Sequence, residues 1–180
     1  MSLILVDPYF EIYLVRHGLA GQFGDYEDDS RRPLTEDGQK KTRKVAQRLH
    51  DFGLHFDRIY TSPYQRADQT AQILHSVMQS GQSGEPVERW EALQPDGDRT
   101  RSIDQLGHGR SAGRRVAIVG HEPDLSQLAE TLVFGTVQGG LVLKKAGIIG
   151  LMAPIEGELV GNCQLFWLVP PRLLIDSSNK

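Results

Sequence analysis

Three short apolar runs, each ending in polar side chains and each leading toward a helical pattern, restrict what this chain can fold into. EIYLVRHG (11–18) and DRIYTSP (57–63) read as buried strands, and RRVAIVGH (114–121) is the clearest strand of the three. After the first, LTEDGQKKTRKVAQRLHDFG (34–53) predicts a helix. Thr35 is its N-cap, Glu36 and Asp37 sit in its positive first turn, Val45, Ala46 and Leu49 form its apolar stripe, and Gly53 stops it. After the second, Ala67, Ala71, Leu74 and Met78 recur at helical spacing. After the third, Pro123 takes a helix N1 position before DLSQLAETLVFG. Residues 98–107 predict a further short helix, VERWEALQP a weakly extended segment, and GGLVLKKAG, IIGLMAP and NCQLFWLVP a closing set of strands. The stretches 19–33, 80–86 and 107–113 carry turn chemistry and no period. Such alternation predicts an α/β three-layer sandwich, its mostly parallel central sheet covered by helices on both faces. At 180 residues it forms one domain, 1–180.

In sheets of that kind, ligands bind outside the carboxyl ends of the strands. Arg16 and His17, Thr61 and Ser62, and His121 all fall at such ends. Each has a bland reading: a strand end meeting solvent, a turn serine before Pro63, a loop histidine. Together they favour chemistry. Histidine titrates near neutrality and serves as acid, base or nucleophile, and arginine offers a planar fork for oxyanions. Arg66 lies in the first turn of the second helix, so a positive helix end and a guanidinium approach the same edge. Two arginines and two histidines at one edge make a pocket for a dianion, most simply a phosphoryl group. Histidine also ligates zinc, but arginine neighbours repel a dication and no HxH, HExxH or CxxC pattern occurs, so neither metal nor other cofactor is expected.

The formal charge of −3 argues against a general nucleic-acid surface. Cys163 is the sole cysteine, set in an apolar stretch and expected to be inert, and no internal disulfide can form. The opening apolar run lacks a basic flank and is broken by Asp7-Pro8, and no stretch is long enough to span a bilayer. A soluble cytoplasmic protein without membrane or nucleic-acid partners is expected.

LVRHG at the first strand tip, SPYQRADQT after the second strand and VGHEP after the third resemble, in order and spacing, the histidine phosphatase superfamily, which includes the phosphoglycerate mutases. The short chain, RRPLTEDG, RADQTA and KKAGIIGL are similar to its bacterial SixA-type phosphohistidine phosphatases, and the likeness runs from Glu11 to Leu168. The resemblance implies that His17 is the nucleophile and forms a transient phosphohistidine. It implies that Arg16, Arg66 and His121 clamp the phosphoryl oxygens, His121 as a protonated ring. Glu91 is the best positional match for a general acid, with Asp96, Asp98 and the Asp25–Asp29 run as rivals. Arg32 maps to the pocket mouth, where it contacts phosphate or is simply half of a loop Arg-Arg pair. Trp90 and Trp167 read as packing residues.

The connection between Gln72 and Arg114 is short, which leaves the pocket open and suits a phosphorylated side chain on a protein. The expected activity is therefore metal-independent dephosphorylation of phosphohistidine on a protein, such as a histidine-containing phosphotransfer domain. The alternatives are a small-molecule phosphomonoesterase on the same scaffold and a phosphate-binding module without turnover.

Overall fold

The first strand begins at Tyr9 and its side chains alternate between two cores. Tyr13 and Val15 enter one, while Phe10, Ile12 and Leu14 enter the other. A period of two with both phases apolar is what a strand covered on both faces requires. The structure, a computed structural model, describes residues 9–78, 86–110 and 113–175. Most of the expected turn at 80–86 and residues 111–112 of the turn at 107–113 lie outside them.

Six strands form one sheet: β1 (Tyr9–Arg16), β2 (Arg58–Thr61), β3 (Glu88–Arg89), β4 (Arg115–Gly120), β5 (Ile148–Pro154) and β6 (Gln164–Val169). Their spatial order is β3-β2-β4-β1-β5-β6. The first four run parallel, and β5 and β6 close the sheet antiparallel. Helices α1 (Glu36–Asp51) and α2 (Gln65–Met78) bury Val45, Leu49, Ala67, Ala71 and Leu74 against one face. Helices α3 (Arg99–Gly109) and α4 (Asp124–Phe134) bury Leu106, Leu125, Leu128 and Leu132 against the other. This is the three-layer sandwich expected. No helix among the described residues is long and apolar enough to cross a membrane.

The helix signals act as read. Thr35 Oγ1 accepts from the Gly38 amide at 3.0 Å, and Gly53 takes a φ of +76° just past α1. Pro123 is the N-cap of α4 rather than its first helical residue, while the Glu122 carboxylate accepts from both the amide and hydroxyl of Ser126. Trp90 is buried and stacks on Tyr60 at 3.9 Å, and Trp167 packs half-buried against the α1–α2 core. Buried Cys163 donates to the Leu159 carbonyl, and burial pushes its thiol up to about 11, away from reactivity.

One element differs from expectation. GGLVLKKAG (139–147) is not a strand but an irregular strap across the tip of β1. Its polar backbone is committed elsewhere. The amides of Gln138, Gly139, Gly140 and Leu141 all donate to the carboxylate of buried Glu130 on α4, at 2.6–2.9 Å. Those amides hold the Glu130 carboxyl down to about 2, against an ordinary value of 4.5. A carboxylate depressed in the fold contributes stability that is present above its unfolded pKa and lost as pH falls through the folded one. Glu130→Gln should therefore lower the melting temperature at pH 7, and the gap from wild type should narrow as pH falls from 5 toward 2. A gap that is constant across thermal melts in that range would show that the charge is unimportant.

Candidate active site

Strand register brings the two histidines together. Arg16 on β1 lies opposite Gly120 on β4, and the His17 amide donates to the Gly120 carbonyl at 3.1 Å. The next residue of each strand is a histidine, and the two rings stand 5.2 Å apart between centroids. After β1 the chain crosses to α1 on one face, and after β4 it crosses to α4 on the other. The two connections part at this point and leave a crevice at the carboxyl edge, the place where doubly wound sheets bind ligands. β2 flanks β4, so Ser62 arrives beside His121 with its amide on the Val119 carbonyl.

His17 is 6% exposed. Its Nδ1 lies 2.7 Å from the Gly18 carbonyl, which can only accept, so Nδ1 carries the proton and Nε2 holds the free lone pair. Burial, opposed by that hydrogen bond and aided by the charges of Arg66, Arg16 and Lys145, pulls the ring's pKa down to about 3. The ring is neutral at physiological pH, as a nitrogen nucleophile must be. Gly18 turns tightly past α1, where a Cβ would come within 2.4 Å of Thr42 Oγ1. Its amide donates to Thr70 Oγ1 on α2, which fixes the turn beside the nucleophile.

His121 is also buried, and its Nε2 pairs with Ser62 Oγ at 2.9 Å. Burial first, then His17, Arg66, Arg32 and Arg16, lower its pKa to about 2. Desolvation among these cations favours the neutral ring. Its Nδ1 is buried with no protein partner among the described residues. Ser62 Oγ accepts the Tyr64 amide and directs its own hydrogen to Nε2; in that arrangement Nδ1 carries a hydrogen, a donor ready for a ligand oxygen. Ser62 is therefore a positioning residue, more than the turn former it resembles in sequence. Tyr64 meets the same ring edge-on at 5.4 Å.

The cations come from four segments. Arg16 donates Nη1 to the Leu143 carbonyl at 2.8 Å, so the strap after α4 fixes its fork. Arg66, in the first turn of α2, is 4% exposed. It donates Nη1 to the Asp29 carbonyl at 2.9 Å and places Nη2 3.1 Å from Asp29 Oδ2. Arg32 meets the other carboxylate oxygen of Asp29 at 2.7 Å and donates to the Gly21 carbonyl. Asp29 thus ties Arg66 and Arg32 together. Burial pushes its carboxyl up, but the Arg32 hydrogen bond and both arginine charges outweigh this and hold it below the ordinary value. Lys145 was not singled out from the sequence. Its ammonium is pulled down by burial and by Arg16 and Arg32, and its charge in turn lowers His17.

The structure brings His17, His121, Arg16, Arg66 and Arg32 into one pocket, with Asp29 and Lys145 added. Glu91 stands exposed at the start of a 3-10 turn, its carboxylate bonded by the Gln94 side chain. The two residues after it, Ala92 and Leu93, share a small cavity wall with His121. Asp98 caps α3 with its side chain, whereas Asp96, at a φ of +57°, gives only its backbone amide, to the Asp124 carboxylate. No cluster of three or more His, Cys, Asp or Glu among the described residues is arranged for a metal ion. A larger cavity of about 800 Å³ opens between the end of α3 and residues 155–160. It lies at the opposite edge of the sheet, beside the start of β1, and neither histidine lines it.

A family model described as the histidine phosphatase superfamily (branch 1) matches residues 12–95. An uncharacterized protein of Picosynechococcus is 40% identical over 169 residues, which are 92% of this chain and 99% of that protein. The protein histidine phosphatase SixA, solved with tungstate, superposes with a TM-score of 0.79 at 25% identity, covering 91% of this chain and 99% of its own. The alpha-ribazole phosphatase from Shigella flexneri does so at 0.71 and 18%, covering 94% and 100%.

Proposed function

The chain belongs to the histidine phosphatase superfamily, and from that premise we propose that this phosphatase removes the phosphoryl group from phosphohistidine in a protein through a covalent intermediate on His17. The observation that carries the reading is the state of His17: a buried, neutral imidazole with Nδ1–H spent on Gly18, its other nitrogen free, and the charges of Arg66, Arg16 and Lys145 acting on the ring. Nε2 attacks phosphorus in line with the substrate P–N bond, which breaks as the new P–N bond forms. Arg16, Arg66 and Arg32, with His121 Nδ1–H, meet the non-bridging oxygens where charge is greatest. A water then attacks the phosphorus of phospho-His17, yielding inorganic phosphate and the restored ring.

The protein substrate is supported by the lack of a lid over the histidines among the described residues and by the structural likeness to SixA. Among the described residues, the connection from α2 to β4 is spent on β3 and α3. Trp90, Leu93 and Leu106 of that connection are buried in the α4-side core and build no lid over the histidines. A buried phosphohistidine site of this kind receives a side chain while the rest of the substrate stays outside. Turnover of a phosphorylated histidine-containing phosphotransfer domain, measured against a panel of small phosphate esters, tests the reading. Strong preference for the esters would overturn it.

The leaving group decides how much a proton donor matters. An imidazole whose second ring nitrogen carries a proton departs neutral, whereas an alkoxide or phenoxide does not. Asp29, held ionised by two arginines, is an anchor for the clamp and a poor donor. Glu91, next to the Ala92–Leu93 cavity wall that His121 shares, is the donor in this reading. Glu91→Gln should cost less in kcat/KM on phosphohistidine than on an aryl phosphate, and equal losses on both would count against the leaving-group argument.

A further inference from the structure

Beside the pocket runs an apolar groove of about 470 Å³, lined by Val142, Leu143, Leu168 and Pro170 and rimmed by Lys144 and Arg172. Val142 is 62% exposed and Leu168 40%, unusual openness for aliphatic side chains that neighbour one another. No carboxylate among the described residues lines the groove. Nor does either rim cation sit in an ion pair among the described residues.

The groove is joined to the catalytic edge by backbone. Leu143, in its wall, gives its carbonyl to Arg16. Three residues on, the Ala146 amide donates to the carbonyls of Arg16 and His17 at 3.1 and 3.2 Å, and Arg16 donates its own amide to Gly147. Ala146 adopts a φ of +57°, a left-handed turn that carries the strap from the groove to the strand tip.

We propose that this groove docks the protein that carries the phosphorylated histidine, its occupant being an acidic surface segment with an apolar centre. The inference rests on the phosphohistidine reading above. Histidine is a short side chain and His17 is deeply set, so the backbone of a partner delivering phosphohistidine must come down to the pocket rim. The surface it meets there on the β6 side is this groove. The chain carries a net charge of −3, yet the charged residues among the described ones that line this groove, Lys144 and Arg172, are both cationic. Carboxylates around an apolar centre match that pattern, steer encounter and oppose basic partners. A small phosphate ester needs none of this surface.

Val142→Glu and Arg172→Glu, both at exposed positions outside the pocket, test the proposal through kcat/KM on a phosphorylated histidine-containing phosphotransfer domain and on p-nitrophenyl phosphate. The expected result is a loss of about tenfold on the protein substrate, carried by KM, with the ester rate within about twofold of wild type. The Arg172→Glu loss should shrink as salt rises. No loss on either substrate, or equal losses on both, would overturn docking at the groove even with phosphohistidine activity intact. Wild-type enzyme that hydrolyses the ester but leaves the phosphoprotein untouched overturns the reading on which the groove rests, a separate and recognisable failure.

Discussion

His17→Ala is expected to abolish turnover, with a loss on the order of 10⁴-fold or more in kcat, because it removes the nitrogen that forms the intermediate. His121 is the other imidazole, and its Nε2 is spent on Ser62, while Asp29 is engaged by Arg66 and Arg32. Rapid-quench labelling with radioactive phosphodonor should show an acid-labile, base-stable phosphoenzyme in wild type and none in the variant. Labelling that persists in His17→Ala would move the nucleophile elsewhere. Absence of labelling in the wild type, with phosphate bound but never released from substrate, would instead favour the non-catalytic binding module.

The same substitution has a stability signature that separates chemistry from misfolding. In the fold His17 titrates far below its ordinary value of 6.5, at about 3. Below pH 6.5 the unfolded chain therefore binds a proton that the folded chain refuses, and stability falls as pH falls. Removing the ring removes that term, so His17→Ala should lose less stability than wild type between pH 7 and pH 5. A variant that is folded, less acid-sensitive and inactive has lost chemistry alone.

Legibility in the sequence followed periodicity. The strand tips carrying Arg16, His17, Ser62 and His121 were readable because apolar runs ending in glycine or a polar pair mark the carboxyl edge of a sheet. Arg66 was readable because it follows such a tip by one helical turn. What escaped reading lies on aperiodic chain. Asp29 reaches Arg66 across 37 residues from an irregular acidic loop in which no position differs by pattern from its neighbours. Lys145 lay in a segment whose apolar residues imitate a strand. Its amides were already claimed by Glu130, a glutamate that looks in sequence like any exposed helical residue. The quoted KKAG was a signal for Lys145, but only the fold shows which way the strap runs.

Arg66→Ala should be the most damaging change outside the nucleophile, about 10²- to 10³-fold in kcat, the range for removing one preorganised donor to a charged transition state. Three features set Arg66 above Arg32. It is the more buried, so its charge acts with less screening. Its two terminal nitrogens are held by the carbonyl and carboxylate of Asp29, and its guanidinium lies 5.0 Å over Tyr64, which also braces His121. Burial and the nearby Arg32 weigh against its charge, and Asp29 restores it. Removing Arg66 still leaves Asp29 paired with Arg32, so no orphaned carboxylate is created and the fold should survive. Arg66→Lys separates charge from geometry: a point charge without the fork should recover part of the loss but not bidentate contact. Inhibition by vanadate, an oxyanion that fits a phosphoryl pocket, should weaken in the order wild type, Arg66→Lys, Arg66→Ala. If Arg66→Ala kept wild-type kcat and vanadate affinity while Arg32→Ala lost both, the clamp would run through Arg32 and Asp29 would serve to present that residue instead.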